Sequence, residues 1–315
     1  MCQYGKKLIL APMAGFSDQP FRRLAREFGA DEVVTELISA NALVRSNRKT
    51  FDMARIHEAE RPASIQIFGS EPFIMAEAAA MVEKFHPLFI DLNMGCPAKK
   101  VTRNGAGAAL LENPKLAEEI IKRVTGAVKT PVSVKIRTGK NASSLTGLEV
   151  AKRAAGNGVR RISVHARTVA DGFSGPVNYD AVADLKKSLA VEIIGNGGIA
   201  SPEDARLWLE RTGCDGLMIG RGAIGHPSLF RAIRNGVSCP PVEERETALR
   251  HMEWMEEFYG AGRALGPMVG HLIYYSKGLP DARQFRRDIA ATQSYADLRE
   301  VVERSFNKAV EFAVC

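Results

Sequence analysis

The sequence predicts a closed (β/α)8 barrel, a TIM barrel, followed by a small C-terminal helical domain. Three features point there: β-rich runs alternate eight times with helix-like stretches, four of the runs share one phase of polar and apolar residues, and the last two end in glycine turns. The runs are KLILAPM, DEVVTELI, ASIQIFG, FIDLNMG, VSVKIRTG, RISVHART, VEIIGNGG and DGLMIGRG. Asn113-Pro114 before KLAEEIIKRV and Ser201-Pro202 before EDARLWLE announce helices, each a capping side chain followed by proline in the first turn. The barrel is assigned to residues 1–238 and the helical domain to residues 239–315.

Strand side chains alternate between faces, so phase says which residues share a side. In VSVKIRTG, Val132, Val134 and Ile136 face the helices and Ser133, Lys135 and Arg137 face inward. RISVHART repeats the pattern, with Ile162 and Val164 outward and Ser163, His165 and Arg167 inward. ASIQIFG turns Gln66 inward, and FIDLNMG turns Asp91 and Asn93 inward. Barrel interiors are ordinarily apolar, so polar groups gathered toward the strands' C-terminal ends predict an active site at that face. The alternative is a polar core layer whose members satisfy one another.

Gly195-Asn196-Gly197-Gly198 and Gly220-Arg221-Gly222 close the last two strands. Loops in those positions commonly hold a phosphate, because glycine lets the backbone approach and a following short helix offers unpaired N–H groups. Arg221 adds a charge-assisted contact.

The chain has 315 residues, enough for one large α/β domain and an appendage, and 45% hydrophobic residues can fill its core. Five scattered cysteines, never in a CxxC or Cys/His ligand pattern, argue against a disulfide framework and a zinc site; no metal is expected, and a cytoplasmic location is. Pro12 interrupts an opening apolar stretch too short for a signal core, and no span approaches membrane-crossing length. The net charge of +7 suits a polyanionic partner. From Cys239 onward 10 Lys/Arg face 12 Asp/Glu, against 33 and 24 before it, so an RNA-binding surface must involve the barrel.

APMAG at Ala11, NMGCPAKKV at Asn93, KIRTG at Lys135, HART at His165, GNGGI at Gly195 and IGRGAIGHPSLF at Ile219 occur in the order found in the tRNA-dihydrouridine synthases. The chain resembles that family, most closely its bacterial B-type branch, across nearly the whole barrel. HLIYYSKG and DARQFRRDI resemble its helical domain. The resemblance implies an FMN-dependent barrel that, with the helical domain, grips tRNA and reduces a uridine to dihydrouridine. NADPH or NADH would serve as a transient electron donor, since no dinucleotide-binding domain is visible. It further implies that Pro12, Met13 and Ala14 line the flavin, that Gln66 and Lys135 bond to its ring and that His165 lies beside it. Asn196, Gly197, Gly220 and Arg221 would hold the phosphate end, and Cys96 would be the proton donor. B-type sequences often read Asn-Gly-Asp where this chain has Asn196-Gly197-Gly198, so only backbone donors remain at Gly198.

These roles suit the residue types. Hydride delivered to C6 of uracil leaves an enolate that needs a proton at C5, and an ordinary thiol, with a pKa of about 8.5, is mostly protonated near neutrality. Asn93 can both donate to and accept from a pyrimidine edge. Arg137 is expected at the uracil carbonyls or a phosphate, or else paired with Asp91. Lys135 and His165 would bring positive charge to the reduced, anionic flavin. The target base must leave its stack, with Lys99, Lys100 and Arg103 contacting phosphates around the entrance. Arg283, Arg286 and Arg287 would share one helix side as a second RNA contact, whereas His271, Tyr274 and Tyr275 would pack the helical domain. No obligate protein partner is indicated. Two rival functions remain: an FMN barrel acting on a free pyrimidine or dienone, and a non-catalytic flavin-containing tRNA-binding protein.

Overall fold

The structure, a computed structural model, describes residues 5–236 and 240–314. Strands β1 (Lys7–Leu10), β2 (Glu32–Val34), β3 (Ile38–Ser39), β4 (Ala63–Phe68), β5 (Ile90–Met94), β6 (Val132–Arg137), β7 (Arg161–His165), β8 (Glu192–Asn196) and β9 (Gly216–Ile219) form one parallel sheet. It runs β2-β1-β9-β8-β7-β6-β5-β4, and a β2–β4 pairing closes it into an eight-stranded barrel. The expected fold class is therefore observed.

DEVVTELI is not one strand but two pieces, β2 and β3. Val34 pairs with Ser64 and Ile38 with Ile67, so four steps along this segment oppose three along β4. One extra residue is accommodated as a bulge, which bends the strand. Thr35, in the interruption, receives the Gln66 backbone N–H on its hydroxyl at 3.1 Å.

The outward phase is as expected. Ile65, Ile90, Leu92, Val134, Ile136, Ile162 and Val164 are fully buried against helix residues such as Met75, Val82, Ile120, Val124 and Trp208. Asn113 and Ser201 cap the helices Pro114–Ala127 and Pro202–Thr212 by accepting from Leu116 N and Asp204 N.

The interior is divided. Ile9, Ala11, Val34, Ile194 and Met218 make an apolar half, while the inward residues of β4 to β7 are polar. At the N-terminal end Arg161, 3% exposed, bonds the Glu32 and Glu192 carboxylates, and Lys7 reaches the same two at 3.2 and 2.9 Å. This ionic plug shuts that end and leaves the C-terminal end for chemistry.

Helices Pro241–Tyr259, Ala261–Tyr275, Ala282–Ala291 and Tyr295–Val314 follow the barrel around their own apolar cluster, which includes Met252, Met268, Leu272, Phe285, Leu298 and Phe306. They meet the barrel at helix Gln19–Glu27, where Arg250 bonds Glu27 at 2.8 Å and the Arg23 guanidinium lies 4.0 Å from the Trp254 ring centre. The expected boundary at 238/239 falls outside the described residues, as do Cys2, Cys239 and Cys315.

Candidate active site

Cross-strand pairing brings the polar inward residues side by side. Gln66 is opposite Asp91, Asp91 opposite Ser133, and Asn93 opposite Lys135. Asp91 accepts from Gln66 Nε2 and from Ser133 Oγ, both at 2.6 Å. With Asp91 accepting, Gln66 turns its NH2 toward Asp91 and its oxygen away. That oxygen accepts from Asn93 Nδ2 at 2.8 Å. Asn93 Oδ1 in turn accepts from the backbone N–H of Cys96 at 3.0 Å and of Gly95 at 3.3 Å. A single buried acceptor thus sets the direction of two amides and fastens the loop that carries Cys96. Burial pushes the Asp91 carboxyl up from its usual value, and the two hydrogen bonds oppose that.

This relay corrects the expectation for Asn93. Its oxygen is committed to the Cys96 loop and one N–H to Gln66, which leaves it one donor for a ligand rather than a donor and an acceptor. Gln66, fully buried, orients Asn93 from below. Cys96 is partly exposed, and its carbonyl accepts from Ala108 N at 3.0 Å. Gly107, at φ +61°, makes that approach possible, since a Cβ there would stand 2.7 Å from the Cys96 oxygen. Lys99, Lys100 and Arg103 follow on the exposed side of a short helical turn.

A cationic group lies beside the relay. Lys135 Nζ donates to Asn196 Oδ1 at 3.0 Å, and the Asn196 amide is clamped by donating to Met218 O at 2.6 Å. Asn196 therefore positions Lys135. Burial, with Arg137 nearby, lowers Lys135 to about 8, Asp91 working against it. Arg137 is not paired with Asp91: it donates to the carbonyls of Gly95, Thr168 and Gly172 at 3.1, 2.8 and 2.7 Å, tying the Cys96 loop to the loop after β7. Arg167 lies beyond the end of β7 rather than on it, and bonds the Gly175 carbonyl.

His165 differs from expectation in charge. Burial first, and then Lys135, Arg137, Arg167 and Arg221 around it, hold it down at about 2. It is neutral at physiological pH, and the positive charge of the site belongs to the lysine and arginines. The Phe173 ring, 51% exposed, stacks over His165 with centroids 6.0 Å apart; the Arg137 and Arg221 guanidinium carbons lie 5.0 and 4.8 Å from its centre. Strand phase does not reach into loops, so Phe173 and the loop position of Arg167 were not legible; the aromatic residue in the DGFSGP turn was the one available signal.

The glycine turns are where the sequence places them. Gly197 and Gly198 have φ of +122° and +70°, and a Cβ at Gly197 would lie 2.7 Å from the His165 ring. Gly220 approaches Met13, to which a Cβ would come within 3.5 Å of sulfur. Pro12 and Met13 are half-buried and Ala14 is exposed, with the Met13 N–H donating to Ser17 Oγ at 2.7 Å. No ordinary helix follows Gly220: Arg221–Ala223 is a three-residue 3-10 turn, and Arg221 donates to the Phe173 carbonyl at 2.6 Å.

With this geometry in hand, a model of the dihydrouridine synthase family, described as "Dihydrouridine synthase (Dus)", matches residues 9–311. The chain belongs to that family. Its relatives include proteins named tRNA-dihydrouridine synthase B. That of Pseudomonas syringae pv. tomato is 41% identical over 287 residues, covering 89% of this chain and 85% of its own. That of Vibrio vulnificus is 39% identical over 315 residues, covering 97% of both. Among solved structures, histamine dehydrogenase from Rhizobium sp. 4-9 superposes with a TM-score of 0.55 at 13% identity, over 78% of this chain and 48% of that one. A 2-naphthoyl-CoA reductase gives 0.55 at 12%, over 72% and 49%. The chain spans about half of those proteins, and the likeness is one of fold. In this dihydrouridine synthase family member, Arg283, Arg286 and Arg287 share the exposed side of helix Ala282–Ala291, opposite buried Phe285 and Ile289. Arg286 donates to Ser276 Oγ at 2.7 Å. His271 and Tyr275 are buried in packing, as expected, and Tyr274 is half-buried against Phe16.

Proposed function

We propose that this chain is an FMN-dependent tRNA-dihydrouridine synthase that reduces the C5=C6 bond of uridines in tRNA, with NADPH or NADH as the electron source. The observation that carries the reading is the relay from Asp91 through Gln66 and Asn93 to the Cys96 backbone, which holds a half-exposed thiol at the mouth of a polar, cationic barrel.

The residues fit FMN. Among the described residues, Lys135, Arg137, Arg167 and Arg221 surround His165 without an ion pair to any carboxylate. Asp91 acts on Lys135, and Asp171 on Arg137 and Arg167, from beyond ion-pair distance; the cationic surplus that remains suits a phosphate and an anionic reduced ring. Arg221 and the backbones of Gly197, Gly198 and Gly220 would hold the phosphate, Lys135 and neutral His165 would face the ring, and Pro12, Met13 and Ala14 would wall it. When bound, FMN supplies the hydride that adds to C6 of uracil.

The remaining work falls to the chain. The free N–H of Asn93 donates to the uracil edge, and the Cys96 thiol gives its proton to C5, quenching the enolate; the thiolate regains a proton from solvent. Arg137 locks the two loops that border this space. Exposed Lys99, Lys100 and Arg103 neutralise phosphates of a strand whose target base has left its stack. The arginine side of helix Ala282–Ala291 gives the helical domain, taken to begin at residue 239, a second contact. Among the described residues no helix is long and apolar enough to cross a membrane, and action on tRNA suits a cytoplasmic location.

The test is anaerobic: the protein is reduced, then mixed with unmodified tRNA or with free uridine. Reoxidation by tRNA with formation of dihydrouridine supports the synthase, whereas reoxidation by free uridine or a dienone alone supports a small-molecule reductase. Tight tRNA binding with no reoxidation identifies a binding protein.

A further inference from the structure

A second polar cluster lies away from the barrel mouth, in the joint between the barrel and the C-terminal helices. Asp18 caps helix Gln19–Glu27, while His251 and His271 lie on helices Pro241–Tyr259 and Ala261–Tyr275. Their exposures are 3%, 0% and 0%, and one potential ligand atom from each lies within 4.8 Å of the others. Among the described residues this is the grouping of His, Cys, Asp or Glu that could hold a metal ion.

The imidazoles carry the argument. A neutral imidazole offers one donor and one acceptor, and burying either unused is costly. His251 Nδ1 shares a hydrogen bond with the Tyr275 hydroxyl at 3.3 Å, but its Nε2 has no partner, and neither nitrogen of His271 has one. Three ring nitrogens are therefore unpartnered, and one potential ligand atom from each histidine lies within 4.8 Å of the buried Asp18 carboxylate, in a wall closed by Phe16 and Phe21, whose rings lie 5.2 to 5.7 Å from the imidazoles. Packing alone explains buried rings. It does not explain two histidines where apolar residues would leave nothing unsatisfied. Unsatisfied groups of this kind call for an ion or a water.

We infer that Asp18, His251 and His271 bind one divalent transition-metal ion of the zinc class, which pins the two histidine-bearing helices to the barrel. Two imidazole nitrogens and one carboxylate oxygen are a donor set that zinc accepts and that calcium and magnesium, which take oxygen, do not favour. The outer contacts are of the right kind: the second nitrogen of His251 is held by Tyr275, and the Asp18 carboxylate is held by Phe21 N and the Tyr259 hydroxyl, both at 3.2 Å. Burial keeps His271 at about 3 and His251 well below its usual value, so both present lone pairs at neutral pH. Burial also raises Asp18 to about 7, a cost that a cation beside it removes. Residue spacing along the chain shows no such ligand pattern. These three come from residues 18, 251 and 271, which only folding assembles.

The inference does not depend on the synthase reading, and its test reads metal rather than activity. Untagged full-length protein is stripped with a chelator and titrated with Co2+, followed by visible absorption and calorimetry, with Zn2+ in competition. One ion per chain is expected, displaced by Zn2+, together with a rise in thermal midpoint when Zn2+ is added. Asp18→Asn keeps an N-capping oxygen and loses the charge; it should bind Co2+ roughly tenfold or more weakly with unchanged circular dichroism. His271→Asn should do the same and lose the thermal response. The proposal is overturned if wild-type protein takes up no Co2+ at submillimolar concentration. It is equally overturned if uptake is the same in both variants, or persists in them and disappears in Cys96→Ala.

Discussion

Asn93→Asp tests the relay because it changes one group and no shape. In the native site Asn93 Nδ2 donates to Gln66 Oε1 at 2.8 Å while Gln66 Nε2 donates to Asp91 at 2.6 Å. A carboxylate at position 93 places an acceptor against an acceptor. Gln66 cannot repair this by turning over, because it would then present its oxygen to Asp91. Both partners are buried, Asn93 at 7% and Gln66 at 0% exposure. Losing this bond and leaving a buried group unmatched costs about 1–3 kcal/mol. If that cost falls on the placement of the Cys96 loop in the transition state, dihydrouridine formation slows by roughly 5- to 150-fold, at 1.4 kcal/mol per factor of ten. The defect should be reversible by acid. A protonated carboxyl can donate to Gln66 Oε1 as the amide did, and burial beside Asp91 raises the pKa of the introduced group, so activity relative to wild type should recover as pH falls. Stopped-flow reoxidation of the reduced protein by tRNA measures the affected step, with NADPH reduction as the control. A wild-type rate across the pH range would refute the reasoning, as would equal slowing of both half-reactions.

Cys96→Ala should leave reduction by NADPH near the parent rate and slow reoxidation by tRNA by about 10²-fold or more; a flavin-loaded variant that makes dihydrouridine normally would remove Cys96 from the chemistry. Charge reversal at Lys99, Lys100 and Arg103, or separately at Arg283, Arg286 and Arg287, should weaken tRNA binding and flatten its salt dependence without changing flavin content, as read by binding isotherms over a salt series. In chelator-treated protein, stability to urea should fall as pH drops from about 6.5 toward 4. His165, His251 and His271, all held below their usual value, take up protons over that range only when unfolded. Asp18, raised to about 7, works the other way by binding a proton in the folded state. His226 is also lowered and Asp91 and Glu244 are raised, so four lowered histidines still outnumber three raised carboxyls and the sign holds; a flat profile would contradict the burial of these histidines.

The sequence by itself determined the barrel, the inward phase of Gln66, Asp91, Asn93, Ser133, Lys135 and His165, and the two glycine turns. These are legible because strand alternation and backbone freedom are local properties, written within a few residues of where they act. The resemblance of NMGCPAKKV likewise singled out Cys96 from contiguous residues. Tertiary structure alone decided how those residues are used. The direction of the Asn93 amide depends on Asp91 acting through Gln66, and the tie between Arg137 and the carbonyls of Thr168 and Gly172 depends on how a loop folds back. The neutrality of His165 depends on burial and on four cations, three of which come from two other segments. The plug joins Arg161 to Glu32, 129 positions away in the chain, and to Glu192, and the cluster of Asp18, His251 and His271 joins two regions at opposite ends of it. Hydrogen-bond direction, charge state and ligand grouping are set by which groups meet in a medium without water, and nothing in the order of residues along the chain states which distant ones will meet.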